Sequence, residues 1–148
     1  MGGSDWDPLS SPGHYFSRIS RGLSRIGDLR LRDLGFAAAQ LPVLSMLKDG
    51  LAHSQADLAR LAKVEQPTMA QLLARMERDG LVSRAVDPSD RRSSFISLTD
   101  AARSKLPAGR AMLKQANQEM THGLSPDEVA TLIDLLRRVL ANVEAMEA

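Results

Sequence analysis

At 148 residues the chain has room for one domain with extensions, and its 43% hydrophobic and 25% charged residues are ordinary for a water-soluble globular protein. It has no cysteine, which excludes disulfides, thiolate metal sites and cysteine redox switches together. Nineteen Lys and Arg against eighteen Asp and Glu leave a net charge of +1, so any basic surface must be local.

Residues 1–13 are rich in Gly, Ser, Pro and Asp and are expected to form a flexible arm, with Trp6 in it. Residues 14–34 read as a helix. Phe16, Ile19, Leu23 and Ile26 recur on one face, His14, Arg18, Arg21 and Arg25 on another, and Gly35 is the stop. A second helix covers 37–48, with Leu41, Leu44 and Leu47 inward and Pro42 near its start. Ser54 caps a third helix. Ser54, Gln55, Ala56 and Asp57 resemble a capping box with Asp in place of Glu, and Leu58, Leu61 and Ala62 supply the apolar face. Val64 and Glu65 connect to a fourth helix that opens at Pro67 and stops at Gly80.

Two short helices joined by a tight turn are a helix-turn-helix pattern. Residues 81–86 and 93–98 then form two β-compatible runs around a polar tip, 87–92, that holds Arg91 and Arg92. A helix-turn-helix followed by a hairpin with a basic tip is a winged helix. Thr99 caps a long helix to about residue 122, where Pro107 and Gly109 predict a kink. Ser125, Pro126 and Glu128 open the last helix, along which Val129, Ile133, Leu136, Leu140 and Val143 keep a near-heptad spacing.

Several function classes find no support. There is no nucleophile elbow, phosphate-binding glycine loop or catalytic carboxylate pair, and His14, His53 and His122 lack metal-ligand spacing. No enzyme activity, cofactor or metal is therefore expected. No run approaches the roughly 18 apolar residues of a membrane span. Nothing at the N-terminus reads as a signal peptide, so the expected location is the cytoplasm.

The fourth helix divides its faces. Met69, Leu72, Leu73 and Met76 form an apolar stripe, while Gln66, Thr68, Gln71, Arg75 and Arg78 stay outside. Gln pairs bidentately with adenine and Arg with guanine in a major groove. An arginine at a hairpin tip suits a narrow minor groove, and Asp90 is placed to hold the Arg92 guanidinium. Residues 54–99 carry seven Lys and Arg against six Asp and Glu, so non-specific affinity for DNA should be modest and salt-sensitive. The alternative is a helical protein-interaction module without DNA binding, which would have no use for the basic tip.

Asp90 to Thr99 matches the wing pattern D-x-R-x5-L-T of the MarR (multiple antibiotic resistance regulator) family. Gln66, Pro67 and Thr68, then Leu73, Met76, Glu77 and the run from Gly80 to Val82, also resemble that family's recognition helix and wing start. The resemblance implies a mainly α fold with a small β-hairpin wing, a winged helix-turn-helix with N- and C-terminal dimerisation helices. It divides the chain into a flexible arm (1–13), a dimerisation helix (14–35), a DNA-binding lobe (36–100) and C-terminal dimerisation helices (101–148). It implies a homodimer on double-stranded DNA at a palindromic operator, sealed through Phe16, Ile19, Leu132, Leu136, Leu140 and Val143. By position, Arg92 would enter the minor groove and Asp90 orient it, while Thr68, Gln71 and Arg75 face the major groove. Ser54, Gln66, Pro67 and Arg91 complete the expected DNA-facing set. Many family members are repressors released by small aromatic or phenolic anions, for which His14, Tyr15 and Arg18 are the candidate contacts here. The chain departs from the common family pattern at Ala70 and Gln71, where many members carry Ser and Arg, which bears on the bases read.

Overall fold

Local capping rules account for where most elements begin. The computed structural model describes residues 5–148, without the side chains of residues 91 and 93. The helices are α1 (Pro12–Leu31), α2 (Leu41–Lys48), α3 (Gln55–Ala62) and α4 (Gln66–Arg78), then α5 (Asp100–Met120) and α6 (Pro126–Glu147). Between α4 and α5 lie strands β1 (Val82–Asp87) and β2 (Asp90–Leu98), paired antiparallel.

Part of the expected arm is a capped turn. A 3-10 helix, Pro8–Ser10, precedes α1, and the Asp7 carboxylate accepts the Leu9 N–H at 3.1 Å. The Tyr15 hydroxyl then donates to the Leu9 carbonyl at 2.8 Å. The first helix accordingly starts at Pro12 rather than His14, because proline at a helix start supplies the required φ and lacks only a donor that would be unpaired anyway.

The chain divides into two compact units, residues 1–113 and 114–148. In the first, the core joins Leu31 at the end of α1, Phe36, Leu41, Leu44 and Leu47 around α2, and Leu58 and Ala59 of α3. Met69, Leu73 and Met76 of α4, Val82, Ile96 and Leu98 of the hairpin, and Ala102 and Leu106 of α5 complete it. The α4 stripe follows the expected four-three spacing. In α3 the buried pair is Leu58 and Ala59, while Leu61, expected inward, is exposed. An eight-residue helix buries only a narrow strip, and Leu61 falls beside it.

Glycines end helical segments where a left-handed residue is needed: Gly35 closes the 3-10 turn Arg32–Leu34 after α1 at φ 77°, and Gly80 follows α4 at φ 74°. Lys63 takes the same region at φ 59° to close α3. At Gly27 the reason is space, since a Cβ there would lie 2.9 Å from the Ala38 Cβ. Gly109, expected to mark a kink, likewise serves close packing: a Cβ there would meet the Phe36 ring and Leu41 at 3.2–3.3 Å.

The hairpin is longer than its two apolar runs suggest. Val82 faces Leu98, Val86 faces Ser94 and Asp87 faces Asp90, with a register shift between Val86 and Asp87. Residues 91–93 therefore lie between the partners of two consecutive β1 residues, a bulge that sets Arg92 out of the ladder. The ribbon is tied at its base, where Ile96 N–H donates to the His53 carbonyl at 2.8 Å and Thr99 N–H to the Leu81 carbonyl at 3.1 Å.

In the second unit α6 opens with a full capping box. Ser125 Oγ accepts the Glu128 N–H at 3.1 Å, and Glu128 Oε1 accepts the Ser125 N–H at 2.9 Å. No residue of α6 is buried in the single chain. Among the described residues no helix is long and apolar enough to cross a membrane.

Candidate nucleic-acid interface

With Met69, Leu73 and Met76 turned into the core, α4 leaves Gln66, Pro67, Thr68, Gln71, Arg75 and Arg78 exposed. Its first turn presents backbone N–H groups with no carbonyl one turn earlier, and the helix dipole adds positive potential there. That combination receives phosphate oxygens.

Ser54 is half-buried as the cap of α3, its hydroxyl accepting the Asp57 N–H at 3.1 Å. The reciprocal half of the expected capping box is replaced. Asp is one methylene shorter than Glu, and Asp57 pairs with Arg60 at 3.1 Å instead. That bond, with the Ser54 hydroxyl, holds the Asp57 carboxyl below the usual aspartate range. Gln55, which sequence reasoning left unassigned, donates from Nε2 to Gln66 Oε1 at 3.2 Å. This amide contact joins the first residues of the two helices.

Arg75 takes up a side position. Its Nε lies 3.7 Å from Asp79 Oδ2, and the same oxygen accepts from Gln40 Nε2 at 3.4 Å. Gln40 is 1% exposed, and its own carbonyl accepts the Ala37 N–H at 2.8 Å. Together Asp28, Arg32, Phe36, Gln40, Arg75 and Asp79 line a cleft of about 500 Å³. Arg75 thus stands at the border between the outer face of α4 and this cleft.

At the wing, Asp87 Oδ1 accepts both the Ser89 hydroxyl at 2.7 Å and the Ser89 N–H at 2.8 Å, which lowers the Asp87 pKa. Asp90 Oδ1 accepts the Arg92 backbone N–H at 3.0 Å, a bond that fixes the main chain of the bulge. A carboxylate readily reaches the main-chain N–H two residues on, a local bond that needs no extended arginine rotamer. Arg92 itself is exposed, and the side chain of Arg91 lies outside the described residues. Arg84 on β1 pairs with Glu77 of α4 at 3.4 Å, which ties the ribbon to the helix.

The candidate effector contacts lie apart from the cleft. His14 and Tyr15 pack edge to face with centroids 5.3 Å apart, the Tyr15 hydroxyl is engaged by the Leu9 carbonyl, and Arg18 is exposed. None of the three lines the cleft. The expected dimer residues Phe16 and Ile19 on α1 are exposed in the single chain. So are Leu132, Leu136, Leu140 and Val143 on α6.

A helix-turn-helix whose second helix presents polar residues beside a tethered two-stranded ribbon defines a winged helix-turn-helix protein. The sequence pattern of the MarR family matches residues 34–93, from the end of the first helical segment through the bulge of the wing. Among solved structures, the chain is similar to a cysteine-to-serine mutant of E. coli MarR complexed with operator DNA, at 28% identity and a TM-score of 0.80, covering 93% of this chain and 99% of that one. It is similar to Bordetella bronchiseptica BpsR, whose DNA binding is regulated by 6-hydroxynicotinic acid, at 26% identity and a TM-score of 0.80 over 92% and 97% of the two chains. S. aureus MepR in its DNA complex shares the fold at 23% identity and a TM-score of 0.79, over 93% and 99%. This lobe is thus similar to that of the MarR family of transcriptional regulators, whose pattern it matches and whose fold it shares.

Proposed function

We propose that the chain is a sequence-specific DNA-binding transcriptional regulator that represses from a pseudo-palindromic operator as a homodimer. The observation that carries this reading is the pairing of two surfaces on one lobe. The exposed edge of α4 (Gln66, Thr68, Gln71, Arg75) stands with a bulged ribbon that holds Arg92 away from its own ladder. In the major groove, the α4 amides and hydroxyl meet base edges while the helix start meets a phosphate. At the wing, the Arg92 guanidinium enters the adjacent minor groove, where a narrow A·T stretch concentrates negative potential.

The homodimer follows from the apolar residues that the single chain leaves in water. Phe16 and Ile19 on α1, and Leu136 and Leu140 on α6, are exposed at helical spacing. Burying apolar surface is worth about 25 cal/mol per Å², so such stripes favour association with a second copy. A two-fold dimer sets its recognition helices roughly 34 Å apart, one turn of DNA.

Release by a small aromatic or phenolic anion is the regulatory part of the proposal. It is supported by BpsR, a relative regulated by 6-hydroxynicotinic acid. The cleft is lined by Arg32 and Arg75 and equally by Asp28 and Asp79, so an anion reaching the Arg75 guanidinium has to compete with Asp79, 3.7 Å away. A ligand that binds a dimer spacing unable to span successive grooves lowers operator affinity by its differential binding.

The test is selection of bound duplexes from random sequence, followed by affinity measurement for the selected duplex and a scrambled one. A selected sequence bound at least tenfold more tightly supports the reading, and equal affinities would overturn it. Titration of aromatic acids against that complex tests the release step.

A further inference from the structure

The amide contact between Gln55 and Gln66 has a consequence for base reading. Each is the first residue of its helix, α3 and α4, so the turn of the motif brings two helix starts together. Gln55 is half-buried and Gln66 exposed. Among the described residues this is the side-chain hydrogen bond that joins α3 to α4. Its direction matters, because Gln55 Nε2 donates and Gln66 Oε1 accepts at 3.2 Å.

A side-chain amide has an acceptor end and a donor end, about 120° apart on one plane. With Oε1 turned toward Gln55, the Gln66 N–H trans to that oxygen points away from α3. From the geometry we infer that Gln55 is a positioning residue that sets which end of the Gln66 amide meets DNA. The inference rests on the DNA-reading role proposed above for α4.

A glutamine held donor-outward reads acceptor edges: purine N7, guanine O6 or thymine O4. The bidentate pairing with adenine is disfavoured, because it needs Oε1 facing the adenine N6–H while Nε2 donates to N7. This revises the simplest reading of an exposed glutamine on a recognition helix. Gln55 is specified as a specificity determinant although it need not touch a base.

Two substitutions at Gln55 test the direction of the bond. Gln55→Ala removes the donor and frees the Gln66 amide to turn. Gln55→Glu replaces the donor by an acceptor, so the Gln66 amide turns over to donate to it and presents Oε1 outward. Both are tolerated at a helix start, where an acidic side chain also suits the dipole. The measurement is relative affinity at every base pair of a selected duplex for wild type, both variants, Gln66→Ala and the double variant Gln55→Ala with Gln66→Ala.

The expected result is confined to one base pair per half-site, the one that Gln66→Ala makes indifferent. There, Gln55→Ala shifts preference toward adenine by about fivefold, the lower end of what a bidentate base contact discriminates. Gln55→Glu moves preference toward the donor-bearing bases adenine and cytosine, on top of a uniform loss from its added negative charge. In the Gln66→Ala background, Gln55→Ala changes no preference. A uniform loss for Gln55→Ala across all sequences, or a changed base pair that Gln66→Ala leaves untouched, overturns the inference. If wild type selects no sequence at all, the DNA-reading role of α4 fails first, an outcome distinct from either.

Discussion

The Thr99 hydroxyl donates to the Gly80 carbonyl at 2.7 Å, bridging nineteen positions of sequence. The same oxygen accepts the Ala102 N–H at 3.2 Å, and the Thr99 N–H donates to the Leu81 carbonyl at 3.1 Å. One residue thus caps α5 and closes the wing against the end of α4. Thr99→Ala removes the cap and leaves the Gly80 carbonyl without that donor, a loss of about 1–2 kcal/mol. Thr99→Ser retains most of that stability. Urea unfolding of the two variants checks this, and equal midpoints would show that the hydroxyl contributes nothing.

Gly27 on α1 sets a second prediction, in which two effects of opposite sign compete. Alanine favours a helix interior over glycine by about 1 kcal/mol. A Cβ at position 27, however, would sit 2.9 Å from the Ala38 Cβ, and overpacking of that kind costs about 1–3 kcal/mol. Ala38 is held in place because its N–H donates to Asp28 Oδ1 at 2.7 Å. The packing cost wins, so Gly27→Ala lowers the thermal midpoint. A raised midpoint would mean that the turn after α1 yields easily.

The seam proposed for α6 is tested by Leu136→Asp. In a homodimer the new carboxylate is driven into apolar surroundings, at a cost of several kcal/mol unless it stays in water. Light scattering should then fall from the mass of two chains to 16.1 kDa. A folded variant that remains a dimer would place the seam elsewhere.

A pH dependence follows from Asp87. Bonds from the Ser89 hydroxyl and N–H lower its pKa in the folded chain. The folded carboxylate therefore holds its proton more weakly than the unfolded one. Its contribution to wing order is complete above the usual aspartate range and disappears as pH falls through the lowered value. The Ser89 amide resonance should stay fixed from neutral pH down to that range and move below it, with Asp87→Asn abolishing the transition. A shift centred near neutral pH would show that another group controls the tip.

Much of the fold was legible because its signals are local. Ser54 and Ser125 cap their helices, glycines at 35 and 80 take positive φ, and the α4 stripe of Met69, Leu73 and Met76 is buried at its expected spacing. What escaped depends on pairing between segments. Periodicity places Gln55 and Gln66 at helix starts but carries nothing about the turn that brings their amides together. The register shift that sets Arg92 out of the ladder, and the Asp90 bond to the Arg92 backbone N–H within it, are properties of two paired strands. The side position of Arg75 depends on Asp79 and on Gln40, thirty-nine residues away from Asp79 in sequence. An amphipathic count assigns such a residue to a face and no further.

The most direct test is a pair of footprints of the protein on its selected duplex, dimethyl sulfate at guanine N7 for the major groove and hydroxyl radical for the minor groove, for wild type and Arg92→Ala. Two protected major-groove regions about one helical turn apart, flanked by minor-groove protections, are the expected result. Only the flanking protections should be lost in Arg92→Ala, with lower affinity and an unchanged dimer. A single protected region, or flanking protection that survives the substitution, would contradict the proposed reading.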